Sequence, residues 1–331
     1  MRRREFIRLV GGSAAAWPLT ARAQQSSSRI PVVGVLWHAG SAEEERIPLG
    51  ALVQGFRNLG YVEGRNIIFE HRFPNEQPER FDAFAAELVQ IKVDVFIAVT
   101  RQAALAAQRA TKTIPIVFMV VPDPVGSKLV DSLNQPGRNI TGMTNMAFEL
   151  VPKRVELLKE AISNLSRMAL LINGSYPEAA RHYAEMGQPA ADRLGIILEP
   201  IDVRGVVDFE KVFSTIADRQ FQAVSLTVDG LFYANQVQLG ALAYERKLPL
   251  IGYAREMAKE AGMFLSYGPS NVASFNHTAY FVDRILKGEK PADLPVEQPT
   301  KFELVANLKV AKELGISVPT SILLRADEVI E

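Results

Sequence analysis

The chain contains no cysteine, which excludes disulfide bonds, thiolate catalysis, cysteine-ligated metal sites and anchoring through a lipid-modified cysteine. It also has no surplus of either charge, because Lys+Arg and Asp+Glu both number 37 in 331 residues. A balanced chain has no overall basic field to attract nucleic acid, so we expect no nucleic-acid partner. The four histidines lie far apart without metal-ligand spacing, at positions His38, His71, His182 and His277.

Motifs of the common enzyme classes are missing as well. No Gly-x-Gly-x-x-Gly follows a strand pattern, and no Gly-x-Ser-x-Gly elbow is present. We therefore expect neither a cofactor nor enzymatic activity. An exported enzyme whose Ser, His and Asp are scattered along the chain stays as the less favoured alternative, although no spacing supports such a set.

Long hydrophobic runs are also missing. The run Leu9–Leu19 is shorter than the roughly 20 residues that a membrane-spanning helix needs, which disfavours the alternative of a membrane anchor. A basic start with Arg3-Arg4 precedes this run, and the small-x-small triplet Ala21-Arg22-Ala23 follows it. The order is that of a twin-arginine signal peptide over residues 1–23. We expect cleavage after Ala23 and a periplasmic location.

The segment Val93–Gly126 has the pattern of a βαβ unit. Val93–Thr100 and Ile114–Val121 are apolar without alternation, as in strands covered on both faces, and the segment between them suits a helix. Parallel strands need such a crossover. In open parallel sheets ligands bind beyond the carboxyl ends of the strands, so the loops that follow both strands are candidate ligand loops.

The same pattern recurs in Ala223–Gly252, with a short apolar strand, a helix and a second strand. Because helices and strands alternate through the rest of the chain, the fold class is α/β, with two lobes that each carry a parallel sheet. Two such lobes facing each other place two sets of strand-end loops across one cleft.

Four polar residues at strand ends are candidate ligand contacts, and each has a purely structural alternative. Thr100 precedes a helix whose free N–H groups suit a carboxylate, but it could simply cap that helix. Asp229 is the acid best placed for an ammonium group, but it too could be a helix cap. Asp123 could cap a helix that begins at Pro124, and Asn173 could be an ordinary turn residue before Gly174.

Aromatic residues also gather at strand ends, where they could stack on a flat or apolar solute. Trp37, Tyr253 and Tyr267 are the candidates for this role. Phe118 lies inside a strand and is expected in the core, and Arg101, next to a helix start, is expected to be solvated.

Four motifs give the chain a resemblance to a known family: DPVGS at 123–127, PGRNITG at 136–142, LSYGP at 265–269 and LPVEQPTKFELVANLK at 294–309. With them the chain resembles the substrate-binding component of an ABC transporter, in the branch similar to tryptophan-binding periplasmic proteins. The resemblance covers residues 30–331. It implies a type I periplasmic binding protein fold, with two Rossmann-like lobes joined by a multi-strand hinge. Residues 30–144 and 254–298 would form the N-terminal lobe, and residues 145–253 and 299–331 the C-terminal lobe.

The resemblance further implies a monomer that closes on a small solute, amino-acid-like or an aromatic carboxylate, and delivers it to a membrane permease. A periplasmic sensory protein of the same fold stays open as an alternative, because the sequence does not separate the two. A DNA-binding repressor of this fold is disfavoured, because the chain has an export signal and no DNA-binding helices.

Overall fold

The computed structural model describes residues 29–331, so the predicted signal peptide and its cleavage point lie outside the described residues. The first part of the chain alternates strands and helices: β1 (Val32–Leu36), α1 (Arg46–Asn58), β2 (Ile68–Arg72), α2 (Pro78–Gln90), β3 (Val95–Val99), α3 (Arg101–Ala110), β4 (Ile116–Val121) and β5 (Ile140–Thr144). These five strands form one parallel sheet in the order β2-β1-β3-β4-β5.

The alternation continues in the second part: α4 (Val151–Ala161), β6 (Arg167–Asn173), α5 (Pro177–Arg193), β7 (Ile197–Val203), α6 (Phe209–Asp218), β8 (Ala223–Leu226), α7 (Gly230–Ala234), α8 (Gln236–Glu245), β9 (Leu250–Gly252), α9 (Arg255–Lys259), β10 (Leu265–Pro269), α10 (Asn271–Leu286), β11 (Phe302–Asn307), α11 (Leu308–Glu313), α12 (Thr320–Leu323) and β12 (Glu328–Ile330). The second sheet has the order β12-β11-β10-β9-β8-β6-β7. Its β10–β11 pair is antiparallel.

The predicted fold class of two mostly parallel α/β lobes is confirmed. We call the five-stranded sheet with the helices packed on it lobe 1, and the seven-stranded sheet with its helices lobe 2. The βαβ unit β3-α3-β4 lies in lobe 1, and every residue of β3 is buried. Alanines fill the inner face of α3, so the helix packs closely on the sheet. The equivalent unit of lobe 2 is β8-α7-α8-β9.

Within residues 29–331 the chain passes between the two sheets at three places: after β5, between β10 and α10, and before β11. The three segments are hydrogen-bonded to one another. The Thr144 N–H donates to the Glu297 carbonyl at 3.0 Å, and the Ser270 N–H donates to the Lys301 carbonyl at 3.0 Å. These connections form the multi-strand hinge between the lobes.

One predicted lobe boundary needs correction. The sequence placed the return to the first lobe at residue 254, but α9 and β10 follow that residue and belong to lobe 2. Leu265 and Ser266 pair with β9, and the whole of β10 pairs with β11. The return therefore falls at about residue 270, where α10 begins and packs against α1. No helix in the described part of the chain has the length and hydrophobicity needed to cross a membrane.

Candidate functional site

A cavity of about 410 Å³ lies between the lobes at the carboxyl ends of strands from both sheets. Its volume is in the range of sites that bind small molecules. Loops after β1, β3 and β4 line it from lobe 1, and loops after β6, β8 and β9 line it from lobe 2. The hinge residues Asn145, Pro269 and Asn271 also line it, so the cleft reaches back to the connections between the lobes.

Four of the residues that the sequence singled out line this cleft: Thr100, Asp123, Asp229 and Tyr253. The other three, Trp37, Asn173 and Tyr267, are absent from its lining. The rule that ligands bind at strand ends therefore identifies which end of each sheet borders the cleft. It does not show whether a given side chain points into the cleft or into the core.

Trp37 is fully buried in the core of lobe 1, contrary to the prediction that it faces the cleft. Its ring is stacked with Phe73 at 6.2 Å and with Phe275 at 5.9 Å between centroids. Its indole N–H donates to Nδ1 of His71 at 3.0 Å. Phe275 does line the cleft, so Trp37 supports the wall from behind.

Tyr267 is half-buried on the lobe 2 core, where its ring stacks on Phe302 at 6.3 Å. Its carbonyl accepts a 2.9 Å hydrogen bond from Nε of Arg154. Arg154 is completely buried, and its two terminal nitrogens have no hydrogen-bond partner among the described residues. Burial lowers the pKa of Arg154 to about 10, while the neighbouring tyrosines raise it.

Asn173 and Asp229 act as a pair. Nδ2 of Asn173 donates to Oδ1 of Asp229 at 2.9 Å, and the Leu231 N–H donates to the same oxygen at 3.0 Å. Asp229 therefore does cap α7, as the structural alternative proposed, but only through Oδ1. Its Oδ2 accepts no hydrogen bond from residues 29–331.

The environment of Asp229 is unusual for a carboxylate. Its pKa is raised to about 6, mainly by burial and in part by the nearby Glu76. The bonds from Asn173 and Leu231 and the charge of His38 act in the opposite direction. Tyr253 fixes the same loop from β9, because its hydroxyl donates to the Asp229 carbonyl at 2.7 Å.

Thr100 lies at the start of α3 in a strained conformation. Its φ of 89° is in the left-handed region, which β-branched residues rarely adopt. Its side chain does not cap the helix, and Oγ1 is buried without a partner among the described residues. The first-turn N–H groups of α3 have no partners within the helix, so they are available to an anion. Strain of this kind is concentrated at functional sites.

Arg101 was expected to be solvated, but it lines the cleft. Its Nε donates to Oγ of Ser127 at 3.0 Å, which directs the guanidinium along the cleft wall. No carboxylate of the described residues forms a salt bridge with it. Asp123 lies nearby and accepts the Gly126 N–H at 2.8 Å. That bond closes a turn rather than starting the predicted helix, because residues 124–128 form a turn.

Sequence reasoning missed a cluster of two carboxyl groups around His38. Its Nε2 lies 3.0 Å from Oε1 of Glu45, and its Nδ1 lies 2.7 Å from Oε1 of Glu76. Burial alone lowers the pKa of His38, but the two carboxylates outweigh it and hold the pKa well above its ordinary value. No group of three or more acidic or histidine side chains in residues 29–331 is arranged to hold a metal ion.

Aromatic rings from lobe 2 complete the cleft. Phe148 packs edge-on against His182 and Tyr183, with centroids 4.4 and 4.5 Å away. Tyr176 faces Gln102 of the other lobe, and burial raises the pKa of its hydroxyl. Arg101, Asp229 and Glu76 all lie close enough to Tyr176 to act on that pKa. The one sequence signal for Tyr176, His182 and Tyr183 is the aromatic content of residues 176–183, and Phe148 lies outside that segment.

The two lobes are in contact across the cleft. The rings of His38 and Tyr233 meet edge-on at 6.1 Å, and Nη2 of Arg46 lies 2.6 Å from Oε2 of Glu260. A Cβ placed on Gly230 would lie 2.0 Å from Oε1 of Glu76. Loops of the two lobes therefore touch each other along this side of the cleft.

Comparisons with known proteins agree with this geometry. A conserved domain protein from Vibrio cholerae has 29% sequence identity and a TM-score of 0.84, covering 91% of this chain and 100% of that one. An ABC domain from Streptococcus pneumoniae, solved with L-Trp, has 25% identity and a TM-score of 0.80, covering 90% and 100%. A tyrosine-binding protein from Clostridioides difficile is 23% identical over 266 residues, 80% of this chain and 75% of the relative.

A leucine-binding protein from Thermotoga maritima, at 13% identity and a TM-score of 0.59 over 86% of this chain, shares the fold alone. The arrangement is thus that of the type I periplasmic binding proteins, as predicted. The sequence model of the family described as ABC transporter substrate binding protein matches residues 41–330. With that match over most of its length, the chain belongs to the ABC transporter substrate-binding protein family.

Proposed function

We propose that the protein is the exported, monomeric solute-binding component of an ABC importer and that it captures an aromatic α-amino acid in the cleft. The signal peptide over residues 1–23 would direct it to the periplasm. Ligand would shift an open–closed equilibrium of the two lobes, and the closed form would be recognised by a membrane permease.

The observation that carries the proposal is the convergence of opposite charges on Tyr176. Arg101 of lobe 1 and Asp229 of lobe 2 both line the cavity and both act on the pKa of this hydroxyl, so a cation and an anion face the same cleft from opposite lobes. An α-amino acid carries its ammonium and carboxylate groups on one carbon atom and needs such a pair of neighbouring partners. Oδ2 of Asp229 suits the ammonium, and Arg101 with the start of α3 suits the carboxylate.

The side chain of the ligand would lie against aromatic rings. Phe148, Tyr183 and Phe275 line the cleft, and ring–ring contacts favour a flat, apolar group. Two of the relatives have names that agree, since one was solved with L-Trp and the other is called a tyrosine-binding protein.

A thermal-shift screen followed by calorimetry tests the proposal. The purified protein would be screened against L-tryptophan, L-tyrosine, L-phenylalanine, branched amino acids, 4-hydroxybenzoate and sugars. We expect the aromatic amino acids to give the largest rise in melting temperature, because a ligand stabilises the state that it binds. Stabilisation by sugars or branched amino acids alone would contradict the proposed ligand class.

A further inference from the structure

We propose that Glu76 and Gly230 form a latch between the lobes that couples closure to the positive charge of the ligand. Glu76 acts through Asp229 and is a gating residue, without itself being a contact of the ligand. This inference rests on the proposed amino-acid binding, and it adds a role for two residues outside the predicted site.

The latch begins with the loop after β2. Asn75 and Glu76 both have left-handed backbones, with φ of 57° and 54°. Two hydrogen bonds hold them there, from Asn75 N–H to the Ala39 carbonyl at 3.0 Å and from Glu76 N–H to the His38 carbonyl at 2.9 Å. Residues other than glycine rarely adopt this conformation, and a pair of them indicates a constrained loop. The constraint presents the Glu76 side chain to lobe 2.

Gly230 is the part of lobe 2 that receives Glu76. A Cβ at this position would lie 2.0 Å from Oε1 of Glu76 and 2.8 Å from Nδ1 of His38. The three nearest atoms that such a Cβ would meet all belong to lobe 1. A side chain at this position would therefore meet the carboxylate of Glu76 and the ring of His38, so that either Glu76 leaves its place on His38 or the lobes stay apart.

Closure at this contact brings two carboxylates from opposite lobes together. Glu76 lies over Gly230, and Asp229, which lines the cleft, is the preceding residue. Bringing like charges into a desolvated site costs free energy unless a cation or a proton neutralises one of them. His38 is already shared between Glu45 and Glu76, so it leaves Asp229 without a full counter-charge.

The ligand's ammonium group would supply the missing charge. With the amine bound to Asp229, the lobes can close without repulsion between the two carboxylates. Without the amine, closure requires protonation of Asp229, whose pKa of about 6 in this structure already includes the effect of Glu76. The ionisable or polar groups that face Asp229 from the surrounding elements are Glu76, His38, Asn173, Tyr176, Tyr183 and Tyr253.

Two variants with a matched control test the latch. Gly230→Ala fills the contact, Glu76→Gln removes its charge, and Gly205→Ala is the control, because a Cβ on Gly205 meets nothing within 4 Å. Each protein is titrated with L-tyrosine and with its deaminated analogue 3-(4-hydroxyphenyl)propanoate. Small-angle X-ray scattering measures the compaction of each protein with and without these probes, at pH 5 and at pH 7.5.

For Gly230→Ala we expect at least a tenfold loss of L-tyrosine affinity and reduced compaction, with an unchanged melting temperature. For Glu76→Gln we expect the preference for L-tyrosine over the deaminated analogue to fall at least fivefold. We also expect its ligand-free form at pH 7.5 to be as compact as the wild-type protein at pH 5. Gly205→Ala should match the wild type throughout.

The latch is wrong if Gly230→Ala behaves like Gly205→Ala, or if Glu76→Gln leaves both the preference and the ligand-free compaction unchanged. Failure of the wild-type protein to bind either probe would count against the proposed ligand class. In that case the ligand-free scattering of the wild-type and Glu76→Gln proteins at the two pH values still decides whether the latch exists.

Discussion

Nδ2 of Asn173 donates to Oδ1 of Asp229 across 2.9 Å, although only Asp229 lines the cleft. One oxygen of this carboxylate is thus held by lobe 2, while no residue of 29–331 donates a hydrogen bond to the other. We predict that Asp229→Ala weakens L-tyrosine binding more than tenfold, about 1.4 kcal/mol, because the ammonium loses a charge-assisted hydrogen bond. Calorimetry checks this, with Asp218→Ala, outside the cleft, as the control; equal affinities for the two variants would remove Asp229 from the site.

Asn173→Ala tests whether the orientation of Asp229 is needed. The substitution leaves the charge but removes one of the two hydrogen bonds to Oδ1, so we expect a smaller loss of affinity than in Asp229→Ala. The double variant should bind no more weakly than Asp229→Ala alone, since Asn173 acts through that carboxylate. Additive losses in calorimetry would show that Asn173 contacts the ligand independently.

Arg101→Gln tests the carboxylate partner. We expect this variant to lose at least tenfold in affinity for L-tryptophan but much less for L-tryptophanamide, which has no carboxylate. Arg109→Gln is a matched control, because Arg109 lies at the other end of the same helix and pairs with Asp82. An equal loss of affinity for both ligands would mean that Arg101 contributes to the packing of the cleft wall and does not bind the carboxylate of the ligand.

Affinity should depend on pH through Asp229. Its pKa in this structure is raised to about 6, so it holds a proton below that value and cannot pair with an ammonium group. We expect L-tyrosine to bind roughly tenfold more weakly at pH 5 than at pH 7.5, as one pKa unit corresponds to a factor of ten. Asp229→Asn should lose this dependence, whereas a wild-type affinity that is flat from pH 5 to pH 7.5 would contradict the assignment.

The ion pair between Arg46 and Glu260 joins the lobes, but we expect it to contribute little to ligand affinity. Both side chains are about half exposed, at 54% and 41%, so water and salt screen the pair. We expect Arg46→Ala to change L-tyrosine affinity by less than about fivefold, the equivalent of about 1 kcal/mol. Calorimetry at low and high salt checks this, and a larger, salt-dependent loss would assign the pair a role in closure.

The fold could be predicted from the sequence because it depends on features that repeat along the chain. Uninterrupted apolar strands such as β3 and the alanine-rich α3 specify a covered parallel sheet, whatever the details of the loops. Topology then places strand-end residues at one edge, and Thr100 and Asp229 were found in that way. The boundary at residue 254 failed because β10 continues the second sheet before the chain returns.

The direction in which a single side chain points was harder to predict from the sequence. Trp37 follows β1 directly, and an aromatic residue there could face either the cleft or the core; stacking against Phe275 placed it in the core. The cluster around His38 was missed because Glu45 and Glu76 reach the same ring from loops 31 residues apart in the sequence. Only the folded loops bring such residues together, and no local pattern marks them.

Trp37 has a consequence for measurement. The other tryptophan of the sequence, Trp17, precedes the predicted cleavage point, so the exported protein would carry a single indole. That indole lies directly behind Phe275, one ring away from the cleft. The emission of Trp37 is therefore a native optical reporter of occupancy, usable without any dye or label for solutes that do not themselves fluoresce in its range.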